Sequence, residues 1–294
     1  MSTRTYPASG LETKPAVRVP GKRPRRRSLT APLNAPHAAA RVSSADGTSI
    51  SFLSLGAGPG LVVLPGNNRR ARHYTRLAEA LSASRSVHVL DRRGRGDSGP
   101  QGPRYSIDSE VDDALAVMAH TGADSVFGHS YGGLVAPHVA LRRPVRSLVV
   151  YEPGVNLRGR FETSFLPEFT RRVRAGQRIR PMALFLRRVG LLPFGNAPGF
   201  VYTAVAALML AGGEEGAEMR AMMPTTPAEI GEVARLDSDG SRYRAISSPT
   251  LVLTGDKTMP AALPLMCKEL ADIIPDARYE LIAGPRPRRP PALP

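Results

Sequence analysis

The seven residues Phe127-Gly128-His129-Ser130-Tyr131-Gly132-Gly133 decide how this chain is read. The apolar run SVFGH (125–129) leads into them with the character of a strand. GGLVAPHVALRR (132–143) follows, with apolar residues at three- and four-residue spacing, the period of a helix. Ser130 therefore falls in the turn between a strand and a helix, with a glycine two positions to either side. Such a turn is crowded: Gly128 and Gly132 let strand and helix approach, and the serine takes a strained conformation that pushes its hydroxyl clear. The amide of Tyr131, at the start of the helix, then points with the helix dipole toward any negative charge developing beside Ser130. A turn with small residues for packing is the bland alternative. The strand and helix on either side favour an activated nucleophile.

The same alternation extends outward. Strands are read at SISFLSL (49–55), LVVLP (61–65), VHVLD (87–91), SVFGH (125–129), RSLVVYE (146–152), TLVLTG (250–255) and ARYELIA (277–283), with a first strand near Ala40 to Ser44. GAGPG (56–60) is a tight turn, which predicts that the strands on either side of it pair as a hairpin. The later strands are nearly solid apolar runs, as expected of a parallel sheet covered by helices on both faces. Helices are predicted over 73–83, 107–120, 132–143 and 259–274, the second capped near Ser106, Ser109 and Glu110. Between Glu152 and Pro249 no strand pattern occurs, and FLPEFTRRV, MALFLRRVG and FVYTAVAALML have helical spacing. The fold class is thus α/β, a mostly parallel, doubly wound sheet of about eight strands with a helical cap inserted after the sixth. Residues 39–154 and 246–283 form the core, and 155–245 the cap. Residues 1–38 read as a disordered basic Pro/Arg-rich tail, and 284–294 as an irregular Arg/Pro tail.

The formal net charge of +15 raises the question of a polyanionic partner. Residues 1–40 carry eight basic side chains against Glu12 alone, and Arg286, Arg288 and Arg289 follow near the other end, so ten of the fifteen charges lie in the tails. No aromatic or reading-helix motif accompanies them, and no nucleic-acid partner is expected. The single cysteine, Cys267, excludes an internal disulfide framework. No apolar run is long enough for stable membrane insertion. RRRSLTAPLNAPHAAA (25–40) resembles an export signal, but Pro32, Asn34 and Pro36 break its apolar centre, so a cytoplasmic location is expected. Oligomeric state is not legible.

Two further stretches bear on chemistry. VHVLDRRGRGDSGP (87–100) matches a D-x-R-G-x-G-x-S loop at Asp91, Arg93, Gly94, Gly96 and Ser98, and LVVLPGNN (61–68) has Pro65-Gly66 after a strand. With GHSYGG, in this order and spacing, they resemble the α/β-hydrolase fold family over roughly residues 40 to 283. The resemblance implies a serine hydrolase of esterase type. Ser130 would form an acyl-enzyme, and the oxyanion would be held by the amides of Asn67 and Tyr131. Ordinary turn chemistry is the alternative for Asn67 and Asn68. A serine at this place argues against a dehalogenase or epoxide hydrolase, which would need aspartate there. The catalytic acid has two candidates. Glu152 ends the sixth strand, where one branch of the family carries it. Asp256 follows the seventh, two residues before the place other members use, which is Thr258 here. Glu152 is preferred. No metal or organic cofactor is implied, and the apolar cap helices suggest a small substrate with an apolar acyl or alcohol part.

The family's base is a histidine in the loop after the eighth strand. Here ARYELIA runs into GPRPRRPPALP without one, and the six histidines are His37, His73, His88, His120, His129 and His138. His129 adjoins Ser130, but neighbouring side chains at such a turn point apart. His73, opening the first helix near the oxyanion loop, is the nearest substitute. An Arg/Pro-rich end without pattern is what a shifted reading frame produces in GC-rich DNA, so an end altered by frameshift or degeneration is expected. Losing the histidine of such a triad costs on the order of a million-fold in turnover. The expectation is therefore a weakened hydrolase, and the alternative a non-catalytic binder of small ligands on the same fold. An intact GHSYGG counts against the second.

Overall fold

The computed structural model describes residues 38–190, 192, 197–258 and 262–284. The expected tails lie outside these residues, apart from Ala38 and Gly284, as does the predicted helical start at 259–261.

Eight strands form one sheet: β1 (Ala38–Ser43), β2 (Ser49–Leu55), β3 (Gly60–Leu64), β4 (Ser86–Leu90), β5 (Ser125–His129), β6 (Ser147–Tyr151), β7 (Thr250–Gly255) and β8 (Ala277–Ile282). Their order is β1-β2-β4-β3-β5-β6-β7-β8. β2 is antiparallel to both β1 and β4, and every other pairing is parallel. The expected hairpin across GAGPG does not form. β2 pairs instead with β1, and on its other edge with β4, Phe52 opposite Leu90. Strands in a sheet are about 4.8 Å apart, so five residues reach over an intervening strand as easily as to a neighbour. The turn is held tightly: a Cβ on Gly56, at φ +77°, would meet the Arg85 carbonyl oxygen at 2.4 Å. β4 enters the gap because the crossover from β3 through α1 (Thr75–Leu81) returns it on the β2 side.

Helices α2 (Ile107–Thr121), α3 (Tyr131–Arg142) and α9 (Leu263–Ile273) cover one face, burying Val62, Val126, Leu134, Val150, Val252 and Leu270 in a common core. The Ser109 amide donates to the Ser106 hydroxyl at the start of α2, and Gly122, left-handed at φ 70°, ends the helix. On the other face α1 packs Ala78 against Val63 and Val89. The sequence predicts helices over both faces of the later strands. Yet Val149 of β6 and Leu251 and Leu253 of β7 stay half-buried, because α1, the one described helix on that side, reaches only as far as β5. Between β6 and β7 lie α4 (Leu166–Arg174), α5 (Ile179–Val189), α6 (Gly199–Ala211), α7 (Gly213–Met222) and α8 (Thr226–Arg235). They have an apolar centre of their own, with Phe165, Phe169, Met182, Leu186 and Tyr202 at its heart.

β3, β5 and the start of α3 meet backbone to backbone. A Cβ on Gly132 would lie 2.0 Å from the Leu64 carbonyl oxygen, and one on Gly128 would lie 2.2 Å from that of Gly132. Neither neighbour is a flexible side chain. Gly132→Ala should therefore cost about 3 kcal/mol of stability by overpacking, read as a lower urea midpoint with an unchanged slope.

Two histidines serve packing, His88 buried and His138 half-buried. The His88 ring lies 2.8 Å from the Ser54 hydroxyl and 3.2 Å from that of Ser86. His138 Nδ1 donates to the Leu134 carbonyl, while its Nε2 is buried without a partner. Burial lowers the pKa of both below the usual 6.5. The unfolded chain therefore binds more protons just below that value, and stability rises with pH through this window. Urea titrations at pH 7.5 and 5.5 should find the chain less stable at 5.5, with part of the difference abolished in His138→Asn.

Candidate active site

Ser130 has φ 52° and ψ −119°, a region that side chains other than glycine seldom adopt. Three hydrogen bonds impose it. The Ser130 amide donates to the Tyr151 carbonyl at 3.0 Å, and its own carbonyl accepts from Gly154 at 2.7 Å and Leu134 at 3.2 Å. The backbone is fixed and the side chain is not: among the described residues Ser130 Oγ has no hydrogen-bond partner. The amides of Asn67 and Tyr131 are equally unengaged there, the second because the first N–H groups of a helix have no intrahelical acceptor. All three residues line a cavity of about 100 Å³ closed by Phe161, Phe165, Phe185, Ile230 and Val233. An adjoining cavity of about 310 Å³ also reaches Ser130 and adds Glu152, His129, Met182, Met209 and Leu263. Cap residues make the smaller cavity's walls largely apolar, while Asn68, Arg69, His129 and Glu152 add polar groups to the wider one.

Glu152 follows β6 directly, in a left-handed conformation at φ 47°. Its carboxylate accepts from the Thr258 hydroxyl and, at 3.3 Å, from the Gly255 amide. Thr258 thus hands the place it occupies after β7 to a carboxylate from β6. The charge is felt nearby. Burial pushes the Tyr151 phenol up to about 12, with the Glu152 carboxylate adding to it, and burial pushes the Cys267 thiol up to about 12 with the same neighbour contributing. Asp256 is exposed and lines neither cavity. Its carboxylate accepts from the Gly284 amide at 2.9 Å, tying the residues after β8 to the end of β7. The structure brings Ser130, Asn67, Tyr131 and Glu152 together and leaves Asp256 outside.

His73 and His129 are engaged by other partners. His73 lines neither cavity: it lies in a 3-10 turn (Ala71–Tyr74), where its Nδ1 accepts from the Arg70 amide at 2.9 Å and its Nε2 faces Glu218 of α7 at 3.4 Å. His129 does line the wider cavity, stacked on Tyr151 with ring centroids 5.4 Å apart. Its Nδ1 is 2.6 Å from the Tyr74 hydroxyl, which already accepts from the Gly66 amide at 2.9 Å. His129 Nδ1 is thus engaged with Tyr74, on the side of the ring held to the core. Among the described residues His129 makes no hydrogen bond to Ser130 Oγ. Burial also lowers its pKa, keeping it neutral.

Beneath residues 65–67 lies a cluster that the sequence motifs did not disclose. Arg92 Nε donates to the Pro65 carbonyl at 2.8 Å, and Arg95 Nη1 to that of Gly66 at 2.8 Å. Both guanidiniums are fully buried and pair with Glu229 of α8, while Arg92 also bonds Glu110 at 2.5 Å. The Tyr105 hydroxyl bridges Glu110 and the Tyr131 hydroxyl, each at 2.8 Å, and Arg92 lies 4.7 Å from the centre of the Tyr131 ring. The D-x-R-G motif drew attention to Arg93, which instead binds Asp113 and Asp46 on the far side of the loop. Arg92 and Arg95 flank it, and only their pairing with a cap residue 137 and 134 positions away gives them a role.

Known proteins resemble the chain in these respects. It is 40% identical over 99 residues to a pimeloyl-(acyl-carrier protein) methyl ester esterase of Chromobacterium violaceum, a match covering 33% of this chain and 38% of that one. It is 28% identical over 256 residues to a polyketide synthase of Burkholderia thailandensis, covering 81% of this chain and 11% of the synthase. The chain thus spans well under half the length of either relative. The crystal structure of an alpha/beta hydrolase from Sphaerobacter thermophilus superposes with a TM-score of 0.70 at 29% identity, over 82% of this chain and 91% of that one. The description of the alpha/beta hydrolase family fits residues 61–285, from β3 to just past β8. With that match, the eight-stranded sheet and the serine at its β5–α3 turn, the chain belongs to the alpha/beta hydrolase family.

Proposed function

We propose that this hydrolase acts on a small carboxylic ester with an apolar acyl part, through an acyl-enzyme on Ser130. One observation carries the reading: an unengaged serine hydroxyl on a strained turn shares an apolar enclosure with two unengaged amides, those of Asn67 and Tyr131. Ser130 Oγ attacks the acyl carbon, the carbonyl oxygen becomes an oxyanion between the two amides, and the alkoxide leaves with a proton. Water then releases the acid by the same route in reverse. Glu152 is the acid that would orient and charge-balance a base at this site. The esterase activity named for the Chromobacterium relative is of the same reaction class. No metal or organic cofactor has a part in it.

The proton of Ser130 is the difficulty. No histidine occurs between His138 and Pro294, and His129, engaged through Nδ1 with the Tyr74 hydroxyl, makes no hydrogen bond to Ser130 among the described residues. In this reading the attack draws on a base from solution, and turnover is slow. The missing histidine also favours a second reading, in which the capped cavity only binds an apolar ligand.

Chemical rescue separates the two. Hydrolysis of a short-chain nitrophenyl ester is measured with and without added imidazole, for the chain and for Ser130→Ala. Imidazole cleaves such esters by itself, so the increment over Ser130→Ala is the quantity read. A Ser130-dependent increment of at least tenfold that saturates with imidazole is expected. Equal rates for the two proteins at every imidazole concentration refute the hydrolase reading and leave the binder.

A further inference from the structure

We propose that Glu229, on the cap helix α8, is a positioning residue that aligns the oxyanion loop and makes this alignment depend on a seated cap; the inference deepens the ester-hydrolase reading and rests on it. The Gly66 amide donates to Tyr74 and the Asn67 side chain also reaches the Thr226 hydroxyl at 3.4 Å, but the carbonyls of Pro65 and Gly66 and the shorter bond that the Asn67 side chain donates belong to one charged cluster. Arg92 donates to the Pro65 carbonyl, Arg92 and Arg95 both donate to the Gly66 carbonyl, at 3.3 and 2.8 Å, and the Asn67 side chain donates to Glu229 Oε2 at 2.7 Å. Glu229 binds both arginines as well, Arg92 at 3.1 Å through each oxygen. Every contact of this cluster with residues 65–67 is either made by Glu229 or made by a guanidinium that it neutralises.

The charges leave little freedom. Two buried guanidiniums face two buried carboxylates, Glu110 and Glu229. Burial disfavours both carboxylates. For Glu229 the two arginines and Asn67 outweigh it and hold its pKa below the usual range, while Glu110 ends above it despite Arg92. Glu229 is thus the firmly ionised partner. If α8 lifts, Arg92 and Arg95 lose their main counter-charge in a dry site, an arrangement far less stable than the closed one. The carbonyls of Pro65 and Gly66 then lose fixed donors, and the Asn67 amide, one peptide further on, loses its aim. Glu218 of α7 also joins cap to core, through Arg70 and Arg72, but touches nothing in residues 65–67. It is the natural control.

The test compares Glu229→Gln with Glu218→Gln by two readouts that a general loosening of the cap would not separate. The first is amide hydrogen exchange of the segment 61–70. The second is labelling of Ser130 by a fluorophosphonate in saturating imidazole, resolved into maximal rate and half-saturating concentration. Glu229→Gln is expected to speed exchange of the loop and lower the maximal rate at least tenfold, with the half-saturating concentration changed less than threefold. Glu218→Gln should leave loop exchange and maximal rate within twofold, even at an equal loss in melting temperature. Exchange and maximal rate in a folded Glu229→Gln equal to those of the unaltered chain overturn the proposal. Should that variant not fold, Asn67→Ala removes one arm of the clamp without unpairing an arginine, and an unchanged maximal rate there overturns it equally. If the unaltered chain is not labelled at all, the hydrolase reading has failed, and loop exchange alone decides the role of Glu229.

Discussion

The site depends on how closely three backbones approach at one point. The end of β3, the end of β5 and the first turn of α3 meet where Gly128 and Gly132 leave no room for a Cβ. This contact sets Ser130 in its strained turn and brings the Pro65–Gly66 segment beside it, where a Cβ on Gly66 would lie 3.0 Å from that of Ser130. The Ser130 hydroxyl and the proposed oxyanion donors are therefore neighbours because of main-chain crowding, before any side chain is considered. Strain of this kind persists only when surrounding bonds fix it, and the hydrogen bonds of Ser130 to Tyr151, Gly154 and Leu134 do so.

Side chains then divide the remaining work between the two layers. The core supplies Tyr74, which accepts from the Gly66 amide and orders His129, and it supplies Glu152, fastened to Thr258 and Gly255. The cap supplies the apolar walls and one carboxylate, Glu229. A buried ion-pair cluster contributes little net stability, because desolvation offsets most of its attraction. Its geometry is demanding, however, since each member loses its partner if one moves. That property suits a link between a cap and a loop better than it suits a core.

Much of this was legible in the residues. The eight strands, the helices beside them and the cap after β6 follow from apolar periodicity, which reports which faces are buried. Ser130 follows from glycines flanking a strand-to-helix junction. Glu152 was visible as a carboxylate at a strand's carboxyl end, with Thr258 standing where the other candidate acid would be. The pairing of β2 was misread, because a five-residue turn spans one strand spacing or two equally well. Asp256 had the right residue type near the right place, and its role in holding Gly284 could not be told from its position in the chain.

By itself, then, the sequence determined the layers, the strand-to-helix turn at Ser130 and the lack of histidine from 139 to 294, since each is a property of local pattern or composition. Tertiary structure decided what depends on distant residues meeting. It placed β4 between β2 and β3, withdrew His73 to Glu218, engaged His129 Nδ1 with a tyrosine 55 positions away, and joined Arg92 and Arg95 to Glu229 across more than 130 residues. An arginine in a loop reads as a solvated charge until the carboxylate that buries it is known, and no local pattern carries that information.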